Sequence, residues 1–500
     1  MVSLKKSFLN NTLAAIINQA VALICAFILP RQLLIFYGSE VNGLVSSIGQ
    51  FLSFVSLLDF GISSVVQATL YKPIAENDLK GVSKVLTASQ KFFQRIGIAF
   101  IIYTAVLAII YPAEIESSLG YFSTVILIVA ISFSSLCEYL FGITNQVLLN
   151  ADQKAYVQLG IRSLSTILNT VVSIILMHKG ASIVIVKIFS SLIFALRPFL
   201  MMFYIKRHYD YNYHEPYDDN PIKQKWNGLA HHVASFIFGN TDVVVLTLFS
   251  SLQNVSVYSV YLLVVSGLNR LYATCLTGAE SVFGRLYAEE NHDKLKNTFS
   301  IIEWISHNAV VFLFSNAAVL MLDFVRIYTL GVDDINYIHP AFSCLIIASY
   351  GLCCLRNVYN VLICAAGHFK QTQWSSIIEA ALNLGISLLL VRRFQLVGIA
   401  IGTFLAILYQ LVYYFIYLHR NVIYIAYRSL VKLALLDCAM VGIITYVGKF
   451  LPSATNYRDF LVKGVESVAI SVVVIAIVNC IFNNLFIRIV MRKIFKRGDR

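Results

Sequence analysis

Charge is scarce in this 500-residue chain: Asp, Glu, Lys and Arg together supply 13% of it, while 58% is hydrophobic and the mean hydropathy is +0.75. A soluble domain cannot cover its surface with so few charges. Metal and redox motifs are lacking too. All nine cysteines lie in apolar runs, and the one close pair, Cys353-Cys354, is adjacent and has no two-residue spacer, so the cysteines read as packing residues and no metal is expected. A phosphate-binding loop is missing: Gly442 to Gly448-Lys449-Phe450 has five residues between the glycines where four are needed, and Phe stands where Ser or Thr would hold magnesium. This excludes an ATPase, and no cofactor is implied. Long polar loops are absent as well, the longest outer segments being 323–339 and 449–463. Nothing there houses a catalytic site, so an enzyme is not expected.

What is present is one apolar run after another. A helix crosses ~30 Å of hydrocarbon with about 20 apolar residues, and the runs are continuous where a β-barrel strand would alternate. The reading is an all-α integral membrane protein of about fourteen transmembrane helices, near 10–36, 43–71, 92–111, 121–149, 156–177, 181–205, 226–249, 257–287, 300–322, 340–366, 372–391, 396–418, 429–448 and 464–488. The expected domains are a six-helix bundle over 1–205, a polar linker over 206–225, a second six-helix bundle over 226–420, and two extra helices with a basic tail over 421–500.

The division follows from an internal repeat. Leu70, Tyr71, Leu79, Lys80 and Val85 return 216 residues later as Leu286, Tyr287, Leu295, Lys296 and Ile301, and Asn145, Leu148 and Ala151 return after 215 as Asn360, Ile363 and Ala366. Six helices separate each element from its copy, so both halves share one orientation, and a pseudo-two-fold along the membrane normal is expected with a binding cavity between the bundles.

The net charge of +12 would suggest nucleic acid in a soluble protein; here it describes topology, and no nucleic-acid partner is expected. With the N-terminus inside, the cytoplasmic segments hold 26 of the 38 Lys and Arg, the outer segments nine, and three arginines remain in mid-membrane. No cleavable signal peptide follows Lys5-Lys6, so the first helix is expected to stay.

Charges at bilayer depth cost about 2.5–3.5 kcal/mol on insertion scales and mark cavities or partners. Arg270 and Arg356 lie near the middle of their helices, as does Asp59; Arg197, Asp242, Glu138 and Glu379 lie within membrane segments, and Arg31 follows Pro30 at a helix end. For Arg270 and Arg356 two readings stand: structural ion pairs with Asp59 or Glu138, or an anion-binding cavity that uses the bidentate guanidinium fork. Arg31 and Arg197 are weighed between snorkelling to the interface and lining that cavity. Asp59, Asp242 and Glu379 are candidates for ion coupling.

The run Arg31, Gly38, Glu40, Asn42-Gly43-Leu44, Asp59, Gly61, Leu70-Tyr71-Lys72-Pro73 and Asp78 resembles the N-terminal signature of Wzx-type polysaccharide repeat-unit flippases. The likeness continues through Asn240-Thr241-Asp242, Tyr258-Ser259-Val260-Tyr261, Ser281 to Gly284, Ala366-Gly367-His368-Phe369-Lys370 with Thr372, Glu379, Asn383 and Gly402-Thr403. Two positions depart from it, Arg285 where Asn is expected and Ser256 where glycine is expected. The resemblance places the chain in the superfamily that also holds multidrug exporters and the lipid II flippase. It implies a carrier in the bacterial inner membrane, both termini cytoplasmic, that turns undecaprenyl-pyrophosphate-linked oligosaccharide to the outer leaflet for capsule or O-antigen synthesis. Its partners would be the bilayer, the polymerase and the chain-length regulator. A cation-coupled drug exporter of the same fold and a membrane enzyme of polysaccharide assembly are the alternatives.

The charge distribution makes the topology testable. A reporter fused after Asp333 is expected outside and one fused after Tyr217 inside; both on one side would overturn the fourteen-helix scheme.

Overall fold

The computed structural model describes residues 2–59, 61–217 and 229–482, and among them there is helix and no strand. In chain order the helices are α1 (Val2–Ser53), α2 (Ile62–Ala75), α3 (Leu79–Glu114), α4 (Tyr121–Cys137), α5 (Ile143–Ala151), α6 (Ala155–His178), α7 (Ile183–His208), α8 (Leu229–Phe249), α9 (Leu252–Ala288), α10 (His292–Tyr328), α11 (Pro340–Ala365), α12 (Phe369–Asn421), α13 (Tyr427–Gly448) and α14 (Tyr457–Phe482). Eleven stretches of the described residues are long and apolar enough to cross a membrane. Two of them, Leu9–Asp59 and Phe369–Asn421, exceed fifty residues, far more than one crossing needs. Each is bent where one residue leaves helical geometry, Gly38 at φ 78° and Gln395 at φ 45°. Counting both arms of each, and the shorter apolar helix Gly239–Phe249, gives the fourteen segments of the expected all-α membrane architecture.

Helices outrun their apolar cores where a cap starts them. α3 begins at Leu79 instead of near 92 because the Asp78 carboxylate accepts from the Gly81 amide at 2.9 Å, and α10 begins at His292 instead of near 300 because Asn291 accepts from the Lys294 amide at 3.2 Å. These caps satisfy amides that the first helical turn leaves open.

The turns before those caps establish the repeat and correct its spacing. After α2 the amides of Glu76, Asn77 and Asp78 bond to the carbonyls of Lys72, Ile74 and Pro73; after α9 those of Glu289, Glu290 and Asn291 bond to Arg285, Tyr287 and Leu286. Asn77 and Glu290 both sit at φ 53°. The offset is therefore 213, not 216, and Leu79 answers to His292. A second matched turn, in which Asp152, Gln153 and Lys154 correspond to Ala366, Gly367 and His368, gives 214 where 215 was expected. A slip of three residues is close to one helical turn, so the buried face is nearly preserved and apolar matching alone misses the error.

The chain divides into two compact units, Met1–Phe236 with Ser251–Ser256, and Ile237–Ser250 with Val257–Arg500. In the first, α1 packs on α6, α4 on α7 and α6 on α7. The start of the region expected as a linker is part of this packing. The Asn212 amide donates to Ser83 Oγ at 3.0 Å, the Tyr213 hydroxyl donates to Asn145 Oδ1 at 2.8 Å, and the Tyr209 hydroxyl donates to Asp152. Burial and the Asp152 carboxylate push the Tyr209 hydroxyl well above the usual tyrosine range. The rest of the expected linker, 218–225, and the basic residues from Arg488 onward lie outside the described residues.

In the second unit α11 packs on α12, and α13 and α14 pack on α10. A polar ladder fastens α14: Asn316 bonds Ser471 and Ser467 at 2.9 and 2.6 Å, Trp304 donates to Asn479 at 2.7 Å, and Lys463 pairs with Asp323 at 2.6 Å. In lipid there is no hydrophobic drive between helices, so such contacts and close packing must hold them together.

The two departures from the resemblance have local accounts. Arg285 is exposed and paired with Glu289, one turn on, at 2.8 Å. Ser256 is fully buried, and its hydroxyl accepts from Asn42 Nδ2 at 2.8 Å. Beside that bond Gly43 lies against the Leu252 backbone so closely that a Cβ would overlap the carbonyl group. A backbone cannot rotate away as a side chain can. Gly43→Ala is therefore expected to destabilise by about 1–3 kcal/mol, the range for overpacking, seen as a lowered melting temperature in detergent; an unchanged value would mean that α9 does not start seated on Gly43.

Candidate functional site

The first unit holds a half-open polar chamber beside two backbone irregularities. Between α1 and α2 the chain tightens into a 3₁₀ turn, Phe54–Asp59, and then passes Gly61 at φ 72°, a left-handed conformation that glycine adopts freely. Asp59 thus sits at a helix break, half-buried, with the Ser63 hydroxyl 3.3 Å from its carboxylate. Between α4 and α5 a π-turn, Glu138–Gly142, inserts an extra residue and carries Glu138. Such π-turns interrupt helices mostly at functional positions. Gly142 leaves room for the Glu138 carboxyl group, since a Cβ there would lie 2.8–3.0 Å from it and push the side chain aside.

Three cavities share these walls. One of about 300 Å³ is lined by Glu138, Gln146, Gln158, Arg162 and Arg197, and another of about 300 Å³ by Asp59, Ser63, Glu138 and Gln146. The third, of about 490 Å³, reaches Lys187 and Ser190 and shares Ser134 and Ser135 with the first. Arg197 donates to Thr166 Oγ1 at 3.0 Å and stacks over Phe194 at 4.1 Å. Glu138 feels both Arg197 and Arg162, though neither is within ion-pair distance of it among the described residues. The chamber presents one set of cations and two carboxylates, Asp59 and Glu138, to the same space. Arg31, half-buried on α1, lies outside the walls of these cavities.

The second unit deals with its charges in the opposite way. Arg356 of α11 donates to the Glu379 carboxylate and to Gln410 Oε1, both on α12, and reaches Cys353 Sγ at 3.5 Å. Gln410 in turn donates to Ser376 at 3.2 Å. An acid that meets Arg356 is therefore Glu379, within the same unit. Asp242 is buried at 7% exposure and accepts from the Tyr258 hydroxyl at 2.8 Å and from Thr403 Oγ1 at 3.0 Å, with Asn383 alongside. Arg270, halfway along α9, is exposed and makes no ion pair within 4 Å among the described residues. The two mid-membrane arginines thus differ, Arg356 sealed in a pair and Arg270 open. No group of three or more His, Cys, Asp or Glu suited to a metal ion occurs among the described residues.

Sequence reasoning weighed Glu138 without placing it in the site, and missed Arg162 and Lys187. A signal existed: Lys187 and Arg197 interrupt one apolar run ten residues apart, and Arg162 stands two turns into another.

No family model matches the chain, and no curated protein does. Among solved structures the likeness is extensive. The fold is similar to that of the lipid II flippase MurJ. Against MurJ in an inward closed conformation the TM-score is 0.69 at 16% identity, over 95% of this chain and 99% of that one. A MATE multidrug-resistance transporter of the MOP superfamily gives 0.60 at 13% identity in its inward-facing form, over 81% of this chain and 95% of that one. The outward-facing form gives 0.55 at 15%, over 83% and 94%. At such identities the likeness establishes the fold, and these MurJ-like neighbours are transporters.

The buried pair can be tested by a double-mutant cycle. Arg356→Met or Glu379→Leu alone leaves a charge unpaired at bilayer depth and is expected to cost about 3–5 kcal/mol, while the double variant recovers much of it. Melting temperature and membrane abundance are the readouts; strictly additive losses would show that the two side chains do not act as a pair.

Proposed function

We propose that the chain is a flippase that moves undecaprenyl-pyrophosphate-linked oligosaccharide repeat units from the inner to the outer leaflet of the bacterial cytoplasmic membrane by alternating access, serving capsule or O-antigen synthesis. The observation that carries this reading is coverage. Residues 421–500 are 16% of the chain, so a match over 95% includes most of them, whereas matches over 81–83% fall short by about that much. The likeness to the lipid II flippase therefore takes in at least part of the C-terminal helix pair.

The chemistry is consistent with it. A pyrophosphate and a glycan cannot shed their hydration into hydrocarbon, but guanidinium groups in a wet interior replace that hydration while the polyprenyl chain stays in lipid. Arg270 is the proposed substrate-binding arginine of the second unit and Arg31 and Arg197 are those of the first, while Arg356, paired with Glu379, positions α11 against α12. Asp59, Asp242 and Glu379 are the proposed ion-coupling acids. The proposal includes cytoplasmic termini and, as partners, the polymerase and the chain-length regulator. A cation-coupled drug exporter is the second reading, favoured by the two carboxylates, Asp59 and Glu138, that face the polar chamber.

Arg270 separates the two. Arg270→Ala is expected to reach the membrane at normal abundance yet fail to restore polysaccharide export in a flippase-deficient strain, and Arg270→Lys to restore it partly, because Lys lacks the planar fork. Full complementation by Arg270→Ala, together with ethidium efflux by the wild-type chain, would hand the assignment to the drug exporter.

A further inference from the structure

A second group of ionisable side chains lies inside the second unit, distinct from Asp242 and from the Arg356–Glu379 pair. Glu303 and His307 stand one turn apart on α10, each 4% exposed. His307 Nδ1 is 2.5 Å from Oδ2 of Asp437, ten residues into α13, and the Tyr359 hydroxyl of α11 donates to Glu303 Oε1 at 2.7 Å. The other Asp437 oxygen, Oδ1, is buried and takes no hydrogen bond. Three bases and a hydroxyl from three helices are thus gathered in one buried place.

The surroundings contain no compensating cation. α9 contributes Tyr272, beside Ser306 and near the thiols of Cys353 and Cys354; α11 contributes Tyr359; α13 contributes Asp437; and α14 contributes only the amide of Asn479, bonded to Trp304 and Asn308. Among the described residues no Lys or Arg pairs with Glu303 or Asp437. With both carboxylates ionised and the imidazole protonated the cluster carries one net negative charge, and with the imidazole neutral it carries two. Uncompensated charge at this depth is costly, so the cluster is neutral only when two protons are shared among the three bases. Coupled bases take up and release protons as a unit, and Asp437 Oδ1 is an acceptor that no hydrogen-bond donor meets.

We propose that Glu303, His307 and Asp437 form a proton-binding site of the second unit, separate from Asp59, Asp242 and Glu379 and independent of what the chain transports. One proton resides on the imidazole against Asp437 and the other on a carboxyl oxygen; when the latter leaves to water, the charge that remains is stabilised by the Tyr359 hydroxyl and the imidazolium.

The site is open to infrared difference spectroscopy of the full chain reconstituted in vesicles of phosphatidylethanolamine and phosphatidylglycerol and stepped in pH. The expected spectrum holds a carboxylic-acid carbonyl band and imidazole ring bands that titrate together. Glu303→Gln and Asp437→Asn each abolish or displace the carbonyl band, and His307→Gln removes the imidazole bands. Tyr359→Phe keeps the packing and removes only the hydroxyl, so it moves the midpoint by about one pH unit, a tenfold change in proton affinity. Asp242→Asn leaves these bands in place. Should a charge-removing variant fail to accumulate in the membrane, Tyr359→Phe and Asp437→Glu carry the test alone. Bands that persist unchanged through all the cluster variants, or the absence of any titrating band, would overturn the proposal.

Discussion

Hydrocarbon offers no hydrogen bonds, and that constraint decides where every polar side chain in this chain can sit. Arg356 shows its force. A guanidinium at that depth must find an anion within reach, and Glu379 and Gln410 on α12 supply the carboxylate and the amide oxygen. The tight pairing of α11 with α12 follows from it. The same rule accounts for the ladder from Trp304 to Lys463 that attaches α14 to α10: each rung satisfies a group that would otherwise be stranded.

The two units answer the constraint differently. In the second, Arg356 is paired with Glu379 and Lys463 with Asp323, while Arg270 stays exposed. In the first, Glu138, Arg162 and Arg197 face open volume, and a site of that kind is stable only if water or a ligand fills it. An ionisable chamber is costly to keep at membrane depth, and a purely structural bundle gains nothing from it.

Much of this was legible in the sequence. Composition and run length gave fourteen membrane segments, since burial in lipid acts on every residue at once and leaves a signal as long as the helix. The repeat was legible as well, but its register was not: apolar faces recur each turn, and only the hydrogen bonds around Asn77 and Glu290 distinguish 213 from 216. Pairings were the least visible. Glu379 lies 23 residues from Arg356, and Asp437 lies 130 from His307. Such contacts depend on which faces of separate helices meet, and nothing local in either segment records that. The π-turn at Glu138 was equally hidden, because its backbone geometry leaves no periodic mark in so short a stretch of sequence.

The tightened turn before Gly61 bears on motion. Its six residues, Phe54–Asp59, are wound at three per turn and rise ~2.0 Å each, where an α-helix has 3.6 per turn and ~1.5 Å. Relaxing them to α geometry would draw the two arms together by about 3 Å and turn one against the other by roughly 120°. Asp59, the last residue of the coil, would swing through that arc. A short overwound segment with a glycine swivel at its end is a screw thread: axial travel and rotation are locked together, so a push along the helix is converted into a change in where its carboxylate points.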